Sequence, residues 1–169
     1  MKKIIKTNKA PKPIGPYNQA VIAGNYMFIS GQIALNPLSG DLITNDIKDE
    51  TIQVMNNLKA ILDEASLTFK NVVKTTIFLS SMDNFKTVNE VYGSYLENDT
   101  APARETVEVS KLPVGVNVEI SMTCNIYNVI CSRHNPNIAI FINMTCVVCL
   151  VVTFIIGHVV ILISFISIP

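Results

Sequence analysis

Two stretches of alternating side chains, joined by a short proline- and glycine-containing segment, lie between residues 102 and 123. Successive side chains of a β-strand point to opposite faces of the sheet, so alternation predicts strands with one apolar and one polar face. In the second stretch the apolar residues are Val116, Val118, Ile120 and Met122, and the polar residues are Asn117, Glu119, Ser121 and Thr123. A sheet of this kind buries one face under a second layer and leaves the other to solvent or another subunit.

Helices supply the predicted second layer. Residues 46–66 carry apolar side chains at three- and four-residue steps, which is typical of a helix with one buried face. Asp46 is predicted to be the N-cap of this helix, and Asp49 and Glu50 in the first turn favour the positive end of its dipole. A second helix is predicted over roughly residues 84–97, with Asp83 as its cap. Its predicted apolar face is formed by Phe85, Val88, Val91, Tyr92, Tyr95 and Leu96.

The remaining strands complete an α+β layer. Val72–Leu79 is rich in β-branched residues and predicts a buried strand, and Tyr17–Ile22 and Tyr26–Ser30 predict a hairpin around Gly24 and Asn25. The order predicts two helices packed on one face of a mostly antiparallel sheet. Gly31 interrupts the strand pattern, which indicates a bulge or a close approach of the backbone to a ligand.

Arg104 is the one arginine before residue 133. Its guanidinium is always charged and matches a carboxylate in a bidentate geometry, so we predict a role in substrate recognition, with a structural ion pair as the alternative. Alternation places Arg104, Thr106 and Glu108 on one face of their strand. If the two strands pair through the short loop, Arg104 and Glu119 point to the same side, away from the helices.

The distribution of charge argues against a nucleic-acid-binding surface. Arg133 is the one basic residue after Glu119, so residues 1–123 carry twelve of the thirteen Lys and Arg and all thirteen Asp and Glu. The four cysteines all lie at or after Cys124, so we expect neither disulfides nor thiol chemistry in the main domain. No apolar segment follows the N-terminal lysines, which favours a cytoplasmic location.

Several separated motifs resemble the RidA (YjgF) family, which is related to the RutC proteins. They are IGPYNQA (14–20), SGQIALNPLSGDL (30–42), TVNEVY (87–92) and PARETVEVSKLP with VEI (102–120). The resemblance covers residues 1–123 and implies a chorismate-mutase-like fold with a six-stranded sheet. It also implies a homotrimer with its sites in clefts between subunits. The implied activity is hydrolytic deamination of reactive 2-imino and 2-enamino acids, such as 2-aminoacrylate and 2-iminobutyrate, without a metal or cofactor.

The resemblance implies a role for two charged residues. Arg104 matches the arginine that grips the substrate carboxylate, and Glu119 matches the acid associated with the water or the leaving amine. Without the resemblance, each is equally consistent with an ordinary ion pair.

The resemblance also implies substrate-binding roles for five further residues. Tyr17 resembles the tyrosine that lines the cleft from a neighbouring subunit, and Ser30 and Gly31 resemble the residues that border it. Asn89 resembles the helix asparagine of the family. Thr106 stands where some members have a cysteine, which excludes a thiol-based mechanism here.

Residues 126–169 form an apolar extension beyond the RidA-like domain, which we predict over residues 1–125. From His134 to Pro169 the chain has no Asp, Glu, Lys or Arg, and residues 138–168 exceed the roughly 20 apolar residues that span a bilayer. The extension is therefore either a C-terminal membrane anchor or an accidental product of a frameshift or lost stop codon. We favour an accidental or lineage-specific extension without function over a membrane anchor.

Three alternatives to the imine deaminase remain at this point. One is a 3-aminoacrylate deaminase of pyrimidine breakdown, as the RutC relationship implies. Another is a translation-inhibiting ribonuclease, which the near-neutral domain disfavours. The third is a trimer that binds small carboxylates without turnover.

Overall fold

The computed structural model describes residues 2–127, 152–156 and 159–163. Its first part contains six strands and two helices. In chain order they are β1 (Lys3–Ile5), β2 (Ala20–Ala23), β3 (Tyr26–Gln32), α1 (Ile47–Glu64), β4 (Val72–Leu79), α2 (Phe85–Ser94), β5 (Ala103–Glu108) and β6 (Val118–Asn125). β1 was not predicted, because its three residues lie within the lysine-rich N-terminus and are too few to show a strand pattern.

The six strands form one sheet in the order β1-β2-β3-β6-β4-β5. All neighbours are antiparallel except β4 and β5, which are parallel. A parallel pair requires a crossover connection, and α2 provides it between β4 and β5. The pairing of β5 with β6, on which the shared face of Arg104 and Glu119 depended, does not form: the crossover leaves β5 at the sheet edge, and β4 lies between the two strands.

Both helices pack on one face of the sheet, as predicted. The side chains of Val54, Leu58 and Ile61 on α1 are fully buried, and so are those of Ile77 on β4 and Ile120 on β6. The hydrophobic core therefore lies between the helical layer and the inner face of the sheet, and the opposite face has no helix over it in residues 2–127.

The two helices begin differently. Asp46 caps α1 as predicted, because its carboxylate accepts a hydrogen bond of 2.9 Å from the backbone N–H of Asp49. The prediction for Asp83 is wrong. Its own backbone N–H donates to Ser81 Oγ at 3.1 Å, in a short 3₁₀ turn over Met82–Asn84 that precedes α2. The polar residue that starts this turn therefore lies two positions earlier than the predicted cap.

A buried glutamine fixes the lead-in segment before β2. The Gln19 side-chain amide donates to the carbonyl oxygens of Thr7, Ala10 and Pro11 at 3.0, 3.1 and 2.8 Å, and its oxygen accepts from the Thr7 N–H at 2.8 Å. Gln19 is only 2% exposed. Its four bonds hold an irregular segment in place and so restrict where the neighbouring Tyr17 lies.

A buried carboxylate fixes the start of β6. Glu50 in α1 is completely buried. One of its oxygens accepts from the backbone N–H groups of Asn117 and Val118 at 2.6 and 3.3 Å, and the other accepts from Asn117 Nδ2 at 2.9 Å. Three donors therefore satisfy a charge that would otherwise be costly to bury. The same bonds set the register of the strand that carries Glu119.

We expect Glu50→Gln to lower the free energy of unfolding by about 1–3 kcal/mol, because a buried donor then faces another donor, the Asn117 amide. Urea denaturation at pH 7 measures the change. Glu64→Gln, at an exposed position of the same helix, is the matched control. Equal midpoints for the two variants would show that the Glu50 bonds contribute nothing to stability.

The chain forms two compact units, Met1–Pro136 and Asn137–Pro169. In the second unit β7 (Val152–Ile156) and β8 (Val159–Ile163) pair antiparallel, from Val152 opposite Ile163 to Ile156 opposite Val159. Most of the apolar extension, including residues 128–151, lies outside the described residues. Among the residues that are described, no helix has the length and apolar character needed to cross a membrane.

Candidate functional site

Arg104 lies on the edge strand β5 and points to the helical side of the sheet. It pairs with Thr75 of β4, whose completely buried side chain lies on that inner face. Its Nη1 donates a hydrogen bond of 2.6 Å to Asn89 Oδ1 on α2. Its guanidinium carbon lies 5.4 Å from the ring centroid of Phe85 and 5.8 Å from that of Tyr92. The side chain itself is exposed.

Thr106 and Glu108 share this face of β5 with Arg104, as alternation predicted. The Glu108 carboxylate accepts from the backbone N–H of Met82 at 2.8 Å and ties β5 to the turn before α2. Thr106 Oγ1 is buried, and no group in residues 2–127 forms a hydrogen bond with it. An unpaired buried hydroxyl is uncommon and is available to a bound polar group.

Glu119 lies on the opposite face of the sheet. It pairs with Phe78 of β4, and its half-buried position raises the pKa of its carboxyl group above the ordinary value, because burial disfavours the charged form. The carboxylate lies directly over Gly31, where a Cβ atom would overlap it. The register of β3 shifts between Ile29 and Gln32, so the predicted bulge is confirmed, and the close approach at Gly31 is to Glu119.

Two further predicted residues lie near Gly31: Ser30 precedes it in the chain, and Tyr17 lines the same cavity. Ser30 Oγ donates to the carbonyl oxygen of Asn18 at 2.7 Å. Tyr17 is 45% exposed, and its hydroxyl oxygen accepts a long bond of 3.4 Å from the backbone N–H of Ile14. Tyr17 and Gly31 line the same small cavity. The Tyr17 ring therefore stands beside the bulge with its hydroxyl largely free for other partners.

The prediction that Arg104 and Glu119 point to one side of the sheet is wrong. Arg104 lies opposite Thr75 and Glu119 lies opposite Phe78 on the same strand, β4. Positions three residues apart on a strand face opposite sides, so the two charged groups lie on opposite faces. The error follows from the wrong pairing of β5, because the face of an edge strand depends on the strand it joins.

The predicted residues therefore form two groups within one chain. The cation group is Arg104, Asn89 and Thr106, on the helical side at the β5 edge. The acid group is Glu119 with Gly31, Ser30 and Tyr17, around the bulge of β3. In the part of the chain that the structure describes, no three His, Cys, Asp or Glu side chains converge to hold a metal ion.

Sequence reasoning missed the two aromatic rings beside Arg104. Phe85 and Tyr92 were assigned only to the apolar face of α2, since their spacing fits a buried helical stripe. The spacing did contain a signal: Phe85, Asn89 and Tyr92 lie at positions i, i+4 and i+7 and so share one side of the helix.

Two helices on one face of a six-stranded sheet, with a single parallel pair at one edge, define a chorismate-mutase-like α+β protein. The sequence profile of the family described as Endoribonuclease L-PSP matches residues 7–126. The chain belongs to this family, and the resemblance to RidA and RutC proteins is thereby confirmed.

The most informative relatives cover the same part of the chain. A RutC family protein of Pyrococcus horikoshii is 50% identical over 120 residues, which are 71% of this chain and 94% of the relative. The 2-iminobutanoate/2-iminopropanoate deaminase of Mus musculus is 46% identical over 120 residues, 71% of this chain and 88% of its own. The crystal structure of E. coli TdcF with bound serine has a TM-score of 0.68 at 38% identity and covers 73% of this chain and 98% of that chain.

A substitution at Gly31 is expected to change the position of Glu119 while leaving the residues of the cation group unchanged. We expect the added methyl group of Gly31→Ala to displace the Glu119 carboxylate and to lower any Glu119-dependent activity about 10-fold or more. The cost in stability should be small, because the displaced atoms are the flexible end of a side chain. Steady-state kinetics and thermal unfolding together measure this. Gly93→Ala is the matched control, because a Cβ there meets no atom within 4 Å. Full activity in Gly31→Ala would show that the position of the carboxylate is unimportant.

Proposed function

We propose that this protein hydrolyses reactive 2-imino acids and their enamine tautomers to 2-keto acids and ammonia. The observation that carries the proposal is the exposed Arg104 guanidinium, held by one hydrogen bond to Asn89. Arginine has five N–H donors, so a bidentate pair is still available for a carboxylate. Among its relatives, the mouse deaminase is 46% identical, and TdcF holds serine, an amino acid with the same α-carboxylate.

The chemistry needs few groups. An enamine substrate first takes a proton at its terminal carbon and becomes the iminium. Glu119 then accepts a proton from water while the water oxygen bonds to C2, which gives a carbinolamine. The protonated Glu119 returns its proton to the nitrogen. As the C–N bond breaks, the Glu119 carboxylate takes the hydroxyl proton of the carbinolamine, which leaves the 2-keto acid and ammonia. Glu119 then passes this proton to the ammonia, which departs as ammonium. A carboxyl group with a raised pKa suits a role that requires both taking and giving a proton.

Arg104 acts on the other end of the substrate. The carboxylate next to C2 pairs with its guanidinium, which fixes the reacting carbon relative to the water. Thr106 Oγ1, on the same face of β5, donates to the substrate or to a water beside it. Asn89 orients the guanidinium through its 2.6 Å bond.

We propose that the working site lies between two copies of the chain in a homotrimer. In support, the cation group and the acid group lie on opposite faces of one sheet and cannot both contact a three- or four-carbon substrate within one chain. A site with both groups requires the β5 edge of one copy against the bulge of β3 in the next. Tyr17 then lines the cleft from the same copy as Glu119.

Mixing two inactive variants tests the shared site. If Arg104→Ala and Glu119→Gln chains are unfolded together and reassembled at equal amounts, random trimers recover about one quarter of the wild-type sites. Each recovered site takes its arginine from one chain and its glutamate from the next. A mixture as inactive as either variant alone would show that both groups act within one chain.

The activity itself is tested with 2-iminobutyrate released continuously by an amino acid oxidase, with 2-ketobutyrate and semicarbazone formation as readouts. The full chain is expected to raise the rate of 2-ketobutyrate release and to suppress capture of the imine by semicarbazide. Parallel assays with 3-aminoacrylate and with RNA compare the alternative activities. No acceleration with 2-iminobutyrate would overturn the proposal.

A further inference from the structure

The guanidinium of Arg104 lies against two aromatic rings as well as against Asn89. Phe85, Asn89 and Tyr92 follow one another at i, i+4 and i+7 along α2, so one side of the helix presents a ring, an amide and a second ring. The two ring centroids lie 5.4 and 5.8 Å from the guanidinium carbon. Both distances are within the range of about 6 Å in which a cation is attracted to a ring.

The second ring is itself fixed in the core. Tyr92 is 5% exposed, and its hydroxyl donates to Thr75 Oγ1 at 3.1 Å. Thr75 is the cross-strand partner of Arg104 on β4. The strand that pairs with Arg104 therefore also anchors the ring beside its guanidinium, so the positions of the two side chains are linked through the backbone of the sheet.

Phe85 supplies the first ring at the start of α2. It is half-buried and packs against the main core cluster. Glu108 binds the backbone N–H of Met82 and so attaches β5 to the turn that leads into α2. This bond holds the beginning of the helix, and hence the Phe85 ring, at a fixed place relative to the strand that carries Arg104.

We propose that Phe85 and Tyr92 are positioning residues: with Asn89 they hold the Arg104 guanidinium in the orientation that receives a substrate carboxylate. The proposal rests on the function proposed above. An arginine side chain has many rotamers, and one exposed on an edge strand would otherwise sample most of them before binding. Contacts with two rings and one amide restrict these rotamers beforehand, so less freedom is lost when the carboxylate binds.

The test combines a direct measurement of the guanidinium with kinetics. The chain contains two arginines, Arg104 and Arg133, so a ¹⁵N-labelled full-length sample gives two side-chain Nε–H signals, and Arg104→Lys identifies one of them. We expect Phe85→Leu to increase the fast motion of the Arg104 Nε–H group, measured as a lower ¹⁵N heteronuclear NOE. We also expect it to raise KM for 2-iminobutyrate roughly 3- to 30-fold with little change in kcat.

Two further variants separate positioning from general packing. Phe85→Tyr keeps an aromatic face and is expected to restore both the NOE and KM. Phe69→Leu is the matched control, because Phe69 is also half-buried and in edge contact with a tyrosine, Tyr95, but is not among the rings beside Arg104. It is expected to change stability without changing the Arg104 signal or KM.

The possible outcomes distinguish a positioning role of the two rings from a role in core packing alone. If Phe85→Leu leaves the Arg104 NOE unchanged, as Phe69→Leu should, the rings are core residues only and the proposal is overturned, whatever happens to KM. If wild-type protein shows no deaminase activity, the function proposed above fails, but the NOE still reports whether the rings hold the guanidinium. A lower NOE in Phe85→Leu that Phe85→Tyr reverses supports the positioning role.

Discussion

Replacing Arg104 with alanine is expected to lower kcat/KM for 2-iminobutyrate about 100-fold or more. A bidentate hydrogen bond between a guanidinium and a carboxylate contributes roughly 1.5–3 kcal/mol, and each 1.4 kcal/mol is a factor of ten. Loss of the anchor also releases the reacting carbon from its position near the water, which lowers kcat as well as affinity. Initial rates over a range of imine concentrations separate the two effects.

Arg104→Lys is a more conservative substitution at the same position. Lysine keeps the positive charge but loses the planar fork and its contacts with the aromatic rings, so we expect an intermediate loss. Lys111→Ala removes a different exposed cation and controls for the net charge. Because Arg104 is exposed, thermal unfolding should shift little in either Arg104 variant. Wild-type kinetics in Arg104→Ala would remove the central residue of the proposed mechanism.

The layers of the fold could be predicted because they depend on local patterns. Alternation along β6 places Val118, Ile120 and Met122 in the core, and all three are buried. The apolar stripe of α1 and its Asp46 cap are equally local. Such patterns determine which side chains share a face and which face needs a covering layer.

The pairing of strands could not be read from the same patterns. Alternation in β5 correctly groups Arg104 with Thr106, but it does not say which face of the sheet that group occupies. The face is decided by the partner strand, and the crossover through α2 makes that partner β4. Short segments such as β1, with three residues, carry too little pattern to be recognised.

The same limit applies to the site. The residue types at positions 104 and 119, with their motifs, suffice to predict a carboxylate anchor and an acid. Their placement on opposite faces depends on tertiary structure, and it changes which residues one chain brings together: the sequence grouped Arg104 with Glu119, whereas the structure separates them. The rings of Phe85 and Tyr92 could be predicted to pack in the core, but their contacts with Arg104 could not be predicted. An apolar helical stripe indicates which side chains are buried, but not which residues of other elements they contact.

Replacing Glu119 with glutamine is expected to lower kcat about 10²- to 10⁴-fold, the range for loss of a positioned acid–base group. Glutamine has nearly the same shape and can still contact Gly31, but it cannot take a proton from water. KM should change little, because the carboxylate of the substrate binds at Arg104. Single-turnover measurements at pH 7 follow the chemical step directly. Glu90→Gln, at an exposed position of α2, is the matched control.

The same substitution is expected to stabilise the fold at pH 7. Burial raises the pKa of Glu119 above its value in the unfolded chain, so the folded protein binds that proton more tightly. The contribution of Glu119 to the free energy of unfolding is therefore fully present below the unfolded pKa, about 4.3, and is lost as the pH rises through the folded pKa. Urea denaturation should give Glu119→Gln a higher free energy of unfolding than wild type at pH 7. The difference between the two should shrink below about pH 4. Lower stability of the variant at pH 7 would mean that the ionised carboxylate has a stabilising partner, and a general-base role at a desolvated position would no longer follow.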